Sequence, residues 1–443
     1  MKPVRFAVGL TCIASVVASS CAPNADPPPD AGVDPVDCGD PPTGAGTEHG
    51  SSIEDESWTA DGSPHVLPFD TSIYGTLTLE SCALVQIAGA RAIDVRGALI
   101  GRPGVRIESA DASPFATIRL VGGTLDLEGV VIENGGDPRN TIPYLAGALD
   151  LSSPAGPATD AVARLRDVSV RGSASNGIVV HDGGGFSDDS ANLIITGSAA
   201  FPISIWSRAA GTLPTGDYSG NATDEILLPA TAVNEGIAED TTFHARGVPY
   251  RVGHDTSSGD LRVQAVTGEL ATLTIEPGVT LRFKAGAVMH VEQASGADPA
   301  RGALIANGTA NAPIVFTSAA ADPQPGDWLG VWFGLVPSAS NALSNARVEY
   351  AGGASATGSD SCLLPPAVIN DAAIRVRGPV GTSFVTDTVI VDSASNGIDR
   401  GFRSDSKPSF LGTNTFTNVA GCTETWPRDD DGACPDPVPC PAG

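Results

Sequence analysis

The sequence predicts an all-β chain wound as a right-handed parallel β-helix, internally duplicated and led by a disordered N-terminal tether. Three observations carry this prediction. Short runs alternate apolar and polar residues, the runs recur at a solenoid-like spacing, and the second half of the chain echoes the first.

The alternation begins near Pro68. Leu77 and Leu79 alternate with polar neighbours, as do Ile93 and Val95, Val105 and Ile107, Ile118 and Leu120, and Leu125 and Leu127. Leu273 and Ile275, Leu281 and Phe283, and Met289 and Val291 continue the pattern. Period two puts one set of side chains on a single face of a strand. Each run stops at Gly, Pro, Asp or Asn, and no stripe of helical period is sustained. The strands recur at roughly 20–30 residues per three-strand turn, which fits a solenoid better than a series of sandwiches. Gly-rich corners such as Gly122-Gly123, Gly135-Gly136 and Gly352-Gly353 suit the sharp turns of a narrow coil.

The echo is ordered. Ser173-Ala174-Ser175-Asn176-Gly177-Ile178 recurs as Ser393-Ala394-Ser395-Asn396-Gly397-Ile398, an offset of 220 residues. Leu165-Arg166-Asp167 faces Val385-Thr386-Asp387 at the same offset. Gly97-Ala98-Leu99-Ile100 returns as Gly302-Ala303-Leu304-Ile305, and Leu77-Thr78-Leu79-Glu80 as Leu273-Thr274-Ile275-Glu276. The matches keep their order in both halves, as duplication of a multi-rung unit requires.

Met1–Ser20 reads as a signal peptide: Lys2 and Arg5, an apolar stretch from Phe6 to Ala18, then small residues before Cys21. Small residues directly before a cysteine resemble a bacterial lipobox, in which Cys21 is lipidated and becomes the new N-terminus. Ala18 stands where the usual pattern has Leu, so plain cleavage after Ser20 stays open. Residues 21–63 are rich in Pro, Asp and Gly and read as a tether. The expected organisation is therefore 1–20 signal, 21–63 lipidated linker, 64–228 and 229–425 the two β-helix halves, and 426–443 an acidic Cys-containing tail. Ala22 after the cysteine, rather than Asp, implies sorting to the outer membrane if the lipobox operates. The membrane is then reached through the lipid alone.

The chain is acidic, with 25 Lys and Arg against 51 Asp and Glu and a net charge of −26. Such a surface repels phosphate backbones, which excludes nucleic acid as a partner. Six cysteines lie beyond Cys21, an even number that suggests disulfides in an exported chain. Of the possible pairings, Cys362 with Cys422 and Cys434 with Cys440 are favoured because they flank or close short loops. No Cys/His spacing suits zinc.

Leu273-Thr274-Ile275-Glu276-Pro277-Gly278-Val279 resembles a rung of bacterial right-handed parallel β-helix repeat proteins. Gly302–Thr309, Pro313–Ser318 and Pro325–Trp328 resemble later parts of the same pattern. The stronger likeness covers roughly residues 220–335. With lysine confined to Lys2, Lys284 and Lys407, the chain has the look of lipoproteins from high-GC bacteria such as myxobacteria. The resemblance implies the fold and says little of activity, because β-helices host many functions. The enzymes known on this fold act on polysaccharides.

Several constellations are candidates for chemistry. Outward positions Asp94, Arg96, Arg106, Glu108, Arg119, Asp126 and Glu128 mix signs along successive strands, as either a groove or, more simply, a face of cross-strand ion pairs. Asp182, Asp188 and Asp189 surround a glycine loop and are candidate ligands for Ca²⁺ or a sugar. Asp429, Asp430 and Asp431 precede Gly432 and are candidate Ca²⁺ ligands, although the alternating spacing of an EF-hand is absent. Trp328 and Trp332, four apart, share a face if both lie on one strand. Exposed, they form a stacking platform; buried, they close a rung.

No catalytic motif emerges. The leading expectation is a non-enzymatic cell-envelope lipoprotein whose β-helix surface binds glycan or an envelope protein, with Ca²⁺ as the one cofactor considered. The alternatives are a polysaccharide lyase or hydrolase acting on acidic glycans, and a purely structural or cell-contact protein.

Overall fold

In a computed structural model, short strands stack in parallel into a β-helix. The structure describes residues 36–441 apart from 41–43, 140–144, 153–160, 182, 232–235, 266–268, 293–300, 365–368, 437 and 439. The signal segment, Cys21 and Asp182 lie outside the described residues. Within them there is no α-helix, only the 3₁₀ turns Ala60–Gly62 and Ser207–Thr212.

Every strand pair is parallel, and the inward side chains form columns along the coil. Ile73, Val95, Leu120, Leu151, Val180 and Ile205 stand in register on six successive rungs, each essentially buried. Burying such a side chain is worth about 1.5–3 kcal/mol, so each column fixes the register of the rungs it joins.

One sheet of 14 strands runs from Ser52–Ile53 to Thr415–Val419. Sheets of eight and six strands complete the first half, and two five-stranded sheets complete the second. Ile226–Leu228 pairs with Ile203–Ile205 on one side and Tyr250–Val252 on the other, so the coil is continuous through this sheet.

The repeated segments occupy equivalent corners, displaced by one face. Ser173–Asn176 turns from the eight-stranded sheet into the 14-stranded one, whereas Ser393–Asn396 turns from the 14-stranded sheet into a five-stranded one. Leu77 and Leu99 lie on the six-stranded sheet, while their counterparts Leu273 and Leu304 lie on the five-stranded sheet that begins at Thr241–Phe243. The local geometry is kept nonetheless. Asp167 and Asp387 both adopt positive φ, at 52° and 49°, and Gly136 and Gly352 pack against the paired serines of their corners.

The first rung starts earlier than residue 64. Strands Thr47–Glu48, Ser52–Ile53 and Glu56–Trp58 already pair with the rung that follows. They are short and mostly exposed, so they carry little of the alternation that marks later rungs. Trp58 closes this end, stacked between His49 and His65 at centroid distances of 3.9 and 4.9 Å.

The disulfides are Cys38–Cys82, Cys362–Cys434 and Cys422–Cys440, which corrects the pairing expected for the last four. The coil, not loop length, decides it. The Cys362 N–H donates to Trp426 O at 2.8 Å and Ser361 bridges Pro427, so the tail runs beside the segment before residue 364. At this end Arg400 and Glu424, both almost fully buried, pair at 3.2 Å.

Candidate functional site

At the junction of the halves the regular coil is interrupted. After Ile203–Ile205 the chain forms the 3₁₀ turn Ser207–Thr212 instead of a strand, and this turn packs against Gly184–Phe186 and Thr241–Phe243. Between the turn and residues 238–244 lies a cleft of about 470 Å³. Arg208, Thr212, Glu239, Asp240, Thr242 and His244 line it.

Each wall is fixed by its own contacts. Thr212 Oγ donates to Ala209 O at 2.8 Å and accepts from the Phe186 N–H at 3.1 Å, joining the turn to the rung before it. The Arg208 guanidinium lies over the Trp206 ring, 5.4 Å from its centroid. Asp240 Oδ1 accepts the Thr272 N–H at 2.9 Å, which holds the opposite wall to the next rung. Arg246 spans the junction by donating to Leu213 O at 2.7 Å.

His244 is the one imidazole in the cleft lining. Its Nδ1 contacts Glu276 Oε1 at 2.8 Å, while Glu276 Oε2 accepts the Ala245 N–H at 2.8 Å. Partial burial opposes ionisation of Glu276, but His244 and the Ala245 N–H outweigh it and hold the carboxyl below its usual range. A carboxylate at Nδ1 fixes the ring's orientation and leaves Nε2 as the unengaged nitrogen. The cleft thus presents hydroxyls, carboxylates, a guanidinium and an oriented imidazole around a space of small-ligand size.

The residues singled out from sequence lie elsewhere. The outward charges of the first half form ladders: Arg119 reaches Asp94 and Asp150 at 3.3 Å each, and Arg96 reaches Asp94 at 3.6 Å. Arg106 reaches Glu108 at 3.1 Å and Glu133 at 2.8 Å. Arg164 gathers Asp126 at 2.6 Å, Glu128 at 3.3 Å and Asp189 at 2.7 Å. These carboxylates are matched by guanidinium groups on neighbouring rungs, the arrangement of a solvated face. Asp189 is therefore engaged rather than open to a ligand, and Asp188 is exposed beside it.

Trp328 and Trp332 do not make an exposed platform, nor do they share a face. The strand begins only at Gly330, whose φ of +120° breaks the alternation, so Trp328 points inward and Trp332 outward. Trp328 is fully buried, stacked on Phe283 at 4.1 Å, and donates Nε1–H to Glu349 O at 2.8 Å. Trp332 is only 4% exposed, beneath Arg375.

Asp429, Asp430 and Asp431 do not converge either. Asp429 pairs with Lys407, Asp431 Oδ1 accepts the Ala433 N–H at 2.9 Å, and the Gly432 N–H closes the turn on Asp429 O at 2.8 Å. Among the described residues no three His, Cys, Asp or Glu side chains are grouped to hold a metal ion.

The cleft itself was not legible in the sequence. Its residues carry no motif, and no repeat match falls on residues 207–244.

Residues 255–361 match the model of a family described as a pectate-lyase like beta helix domain. The match begins beyond the cleft lining, includes Glu276 and supports the parallel β-helix family. No curated protein and no solved structure matches the chain.

Proposed function

We propose that this protein is a glycan-binding β-helix of the cell envelope that holds its ligand in the junction cleft and performs no chemistry on it. The observation that carries the reading is the cleft, where Arg208, Asp240, Glu239 and the Thr212 and Thr242 hydroxyls surround about 470 Å³. Sugar hydroxyls both donate and accept, so a wall mixing carboxylate, hydroxyl and guanidinium groups suits them. The family description, which names a polysaccharide-acting enzyme as its likeness, favours a glycan over an envelope protein as the partner. Three disulfides favour an oxidising compartment, consistent with export and anchoring through Cys21.

The test is calorimetric titration of the disulfide-intact protein with neutral and acidic oligosaccharides. Saturable binding is expected, weakened about tenfold or more by Arg208→Ala or Asp240→Ala, equivalent to about 1.4 kcal/mol each. No binding across the panel, or binding indifferent to both substitutions, overturns the reading.

The enzymatic reading rests on one observation, the His244–Glu276 pair at the cleft, which has the form of an oriented general base. A rise in ultraviolet absorbance from unsaturated products, with uronate polysaccharides and with or without Ca²⁺, would establish it in place of simple binding.

A further inference from the structure

On the five-stranded sheet that begins at Asp260–Val263, Arg262, His290, Trp332, Arg375 and Asp399 stand in register at outward positions of five successive rungs. Outward positions on the first half carry partly exposed ion ladders, but here the four residues beyond Arg262 are almost completely buried. His290 is 8% exposed, Trp332 4%, and Arg375 and Asp399 0%. The row is chemically connected. His290 Nδ1 meets Asp260 at 2.7 Å, its ring meets Trp332 edge-on, and the Arg375 guanidinium sits 4.5 Å above the Trp332 centroid. Arg375 Nε then lies 3.6 Å from Asp399 Oδ2.

What covers the far end of this row is a strap of residues 353–362, running from the corner at Gly352 to the Cys362–Cys434 disulfide. Its grip is entirely polar. Arg375 donates to Ser355 Oγ at 3.2 Å and to Thr357 O and Gly358 O at 3.1 Å each. Ser355 Oγ donates to Asp371 at 2.6 Å, and Ser359 Oγ donates to Asp399 at 2.7 Å. No apolar side chain of residues 353–361 larger than alanine is available to pack down. The Trp332 indole N–H, buried with the row, has no hydrogen-bond partner among the described residues. The Arg375 Nε–H of the same row is likewise without a hydrogen-bond partner among the described residues, so two buried donors here are left unpaired, a cost that a polar ligand would relieve.

We propose that the strap is an intramolecular occupant of a second binding site, one that takes a neutral saccharide when the strap is displaced. The strap supplies hydroxyls that donate to Asp371 and Asp399 and oxygens that accept from Arg375. A ligand replacing it must offer both kinds of group within one short molecule, beside an indole with a spare donor. Vicinal hydroxyls of a neutral sugar do this. A polyuronate does not, because its carboxylates meet Asp371 and Asp399. The site shares no residue with the junction cleft, so its occupancy is separate from the function proposed above.

The test uses two variants of the full protein, Ser355→Ala with Ser359→Ala, which removes the strap's donors, and Cys362→Ser with Cys434→Ser, which frees its end. Acrylamide quenching of Trp332 is read by difference against Trp332→Phe in each background, and cellohexaose and maltohexaose are the probes. Quenching is expected to rise at least twofold in one variant or both. A saturable hexasaccharide-induced fluorescence change is then expected in that variant, absent from the parent and from the added Trp332→Phe. Increased quenching without a saccharide response overturns the site. Unchanged quenching in both variants overturns the strap as its cover. A response to polygalacturonate equal to that of the neutral hexasaccharides overturns the assigned ligand class.

Discussion

Asn176 and Asn396, 220 residues apart, make the same bridge between three rungs. Each donates its side-chain amide to a carbonyl one rung back, Ala146 O or Asp371 O, at 2.9 Å. Each accepts a backbone N–H one rung forward, from Phe201 at 3.2 Å or Cys422 at 2.8 Å. The serines before them, Ser173 and Ser393, turn their hydroxyls onto the asparagine's own carbonyl at 2.5 and 2.8 Å. The repeated hexapeptide is therefore a corner clamp.

Asn176→Ala removes both bridging bonds and strands the buried Phe201 N–H, while Ala146 O keeps the backbone N–H of residue 176 at 3.2 Å. A loss of about 1–3 kcal/mol is expected, from the one buried donor left unpaired. Urea unfolding followed by far-ultraviolet circular dichroism measures it, and a loss within 0.5 kcal/mol (about the usual effect of a surface substitution) would reject the clamp.

Peptide mapping without reduction should recover Cys362 linked to Cys434 and Cys422 linked to Cys440. Recovery of Cys362 with Cys422 would mean that the tail does not run beside residues 361–362.

The first rung should weaken in acid. His49 Nε2 and His65 Nδ1 are 3.0 Å apart, and His65 Nε2 contacts Thr59 O at 2.9 Å. That carbonyl only accepts, so the neutral pair has His49 donating to His65, and protonating both rings sets two donors face to face. Burial, then the charge of His65, lower the His49 pKa against the opposing pull of Glu56. A histidine lowered in the fold binds more protons when unfolded. Its contribution is complete above the unfolded value of about 6.5 and is lost as pH falls through that region. Burial lowers His181 and His254 as well, with the same sign. The hydrogen-exchange protection factors of residues 47–66, corrected for the pH dependence of intrinsic exchange, should fall from pH 8 to pH 5, and His49→Gln should flatten that dependence. Equal protection at both ends of the range would refute it.

Glu225 is 4% exposed and serves two cations, Arg251 at 3.2 Å and Arg282 at closer range. Glu225→Ala leaves both guanidinium groups without their carboxylate beside the junction. A loss of about 1.5–3 kcal/mol is expected by thermal or chemical unfolding, the scale of a charge-assisted hydrogen bond, because both arginines stay partly exposed. A loss below 1 kcal/mol would show that water serves the arginines equally well.

The architecture was readable because a β-helix writes its core one strand at a time. Leu77, Ile93, Ile107 and Leu125 all fall inward where alternation puts them. Matching across rungs was not readable. Arg164 meets Asp126 and Asp189 through register set by loops of unequal length. The same holds for Cys362 and Cys434, and for the cleft, which exists because Ser207–Thr212 abandons the strand pattern. Trp328 and Trp332 misled for a local reason: the i, i+4 rule presumes a continuous strand, and Gly330 interrupts it.

The 14-stranded sheet is also the molecule's backbone under load. Strands lie across the long axis of a β-helix, so tension along that axis pulls neighbouring rungs apart through their hydrogen bonds. Over most of the length three sheets share that tension. At Ile226–Leu228 the ladder to the next rung belongs to one sheet alone among the described residues. A molecule stretched between its ends should tear first at this seam, parting into two wound halves before either unwinds.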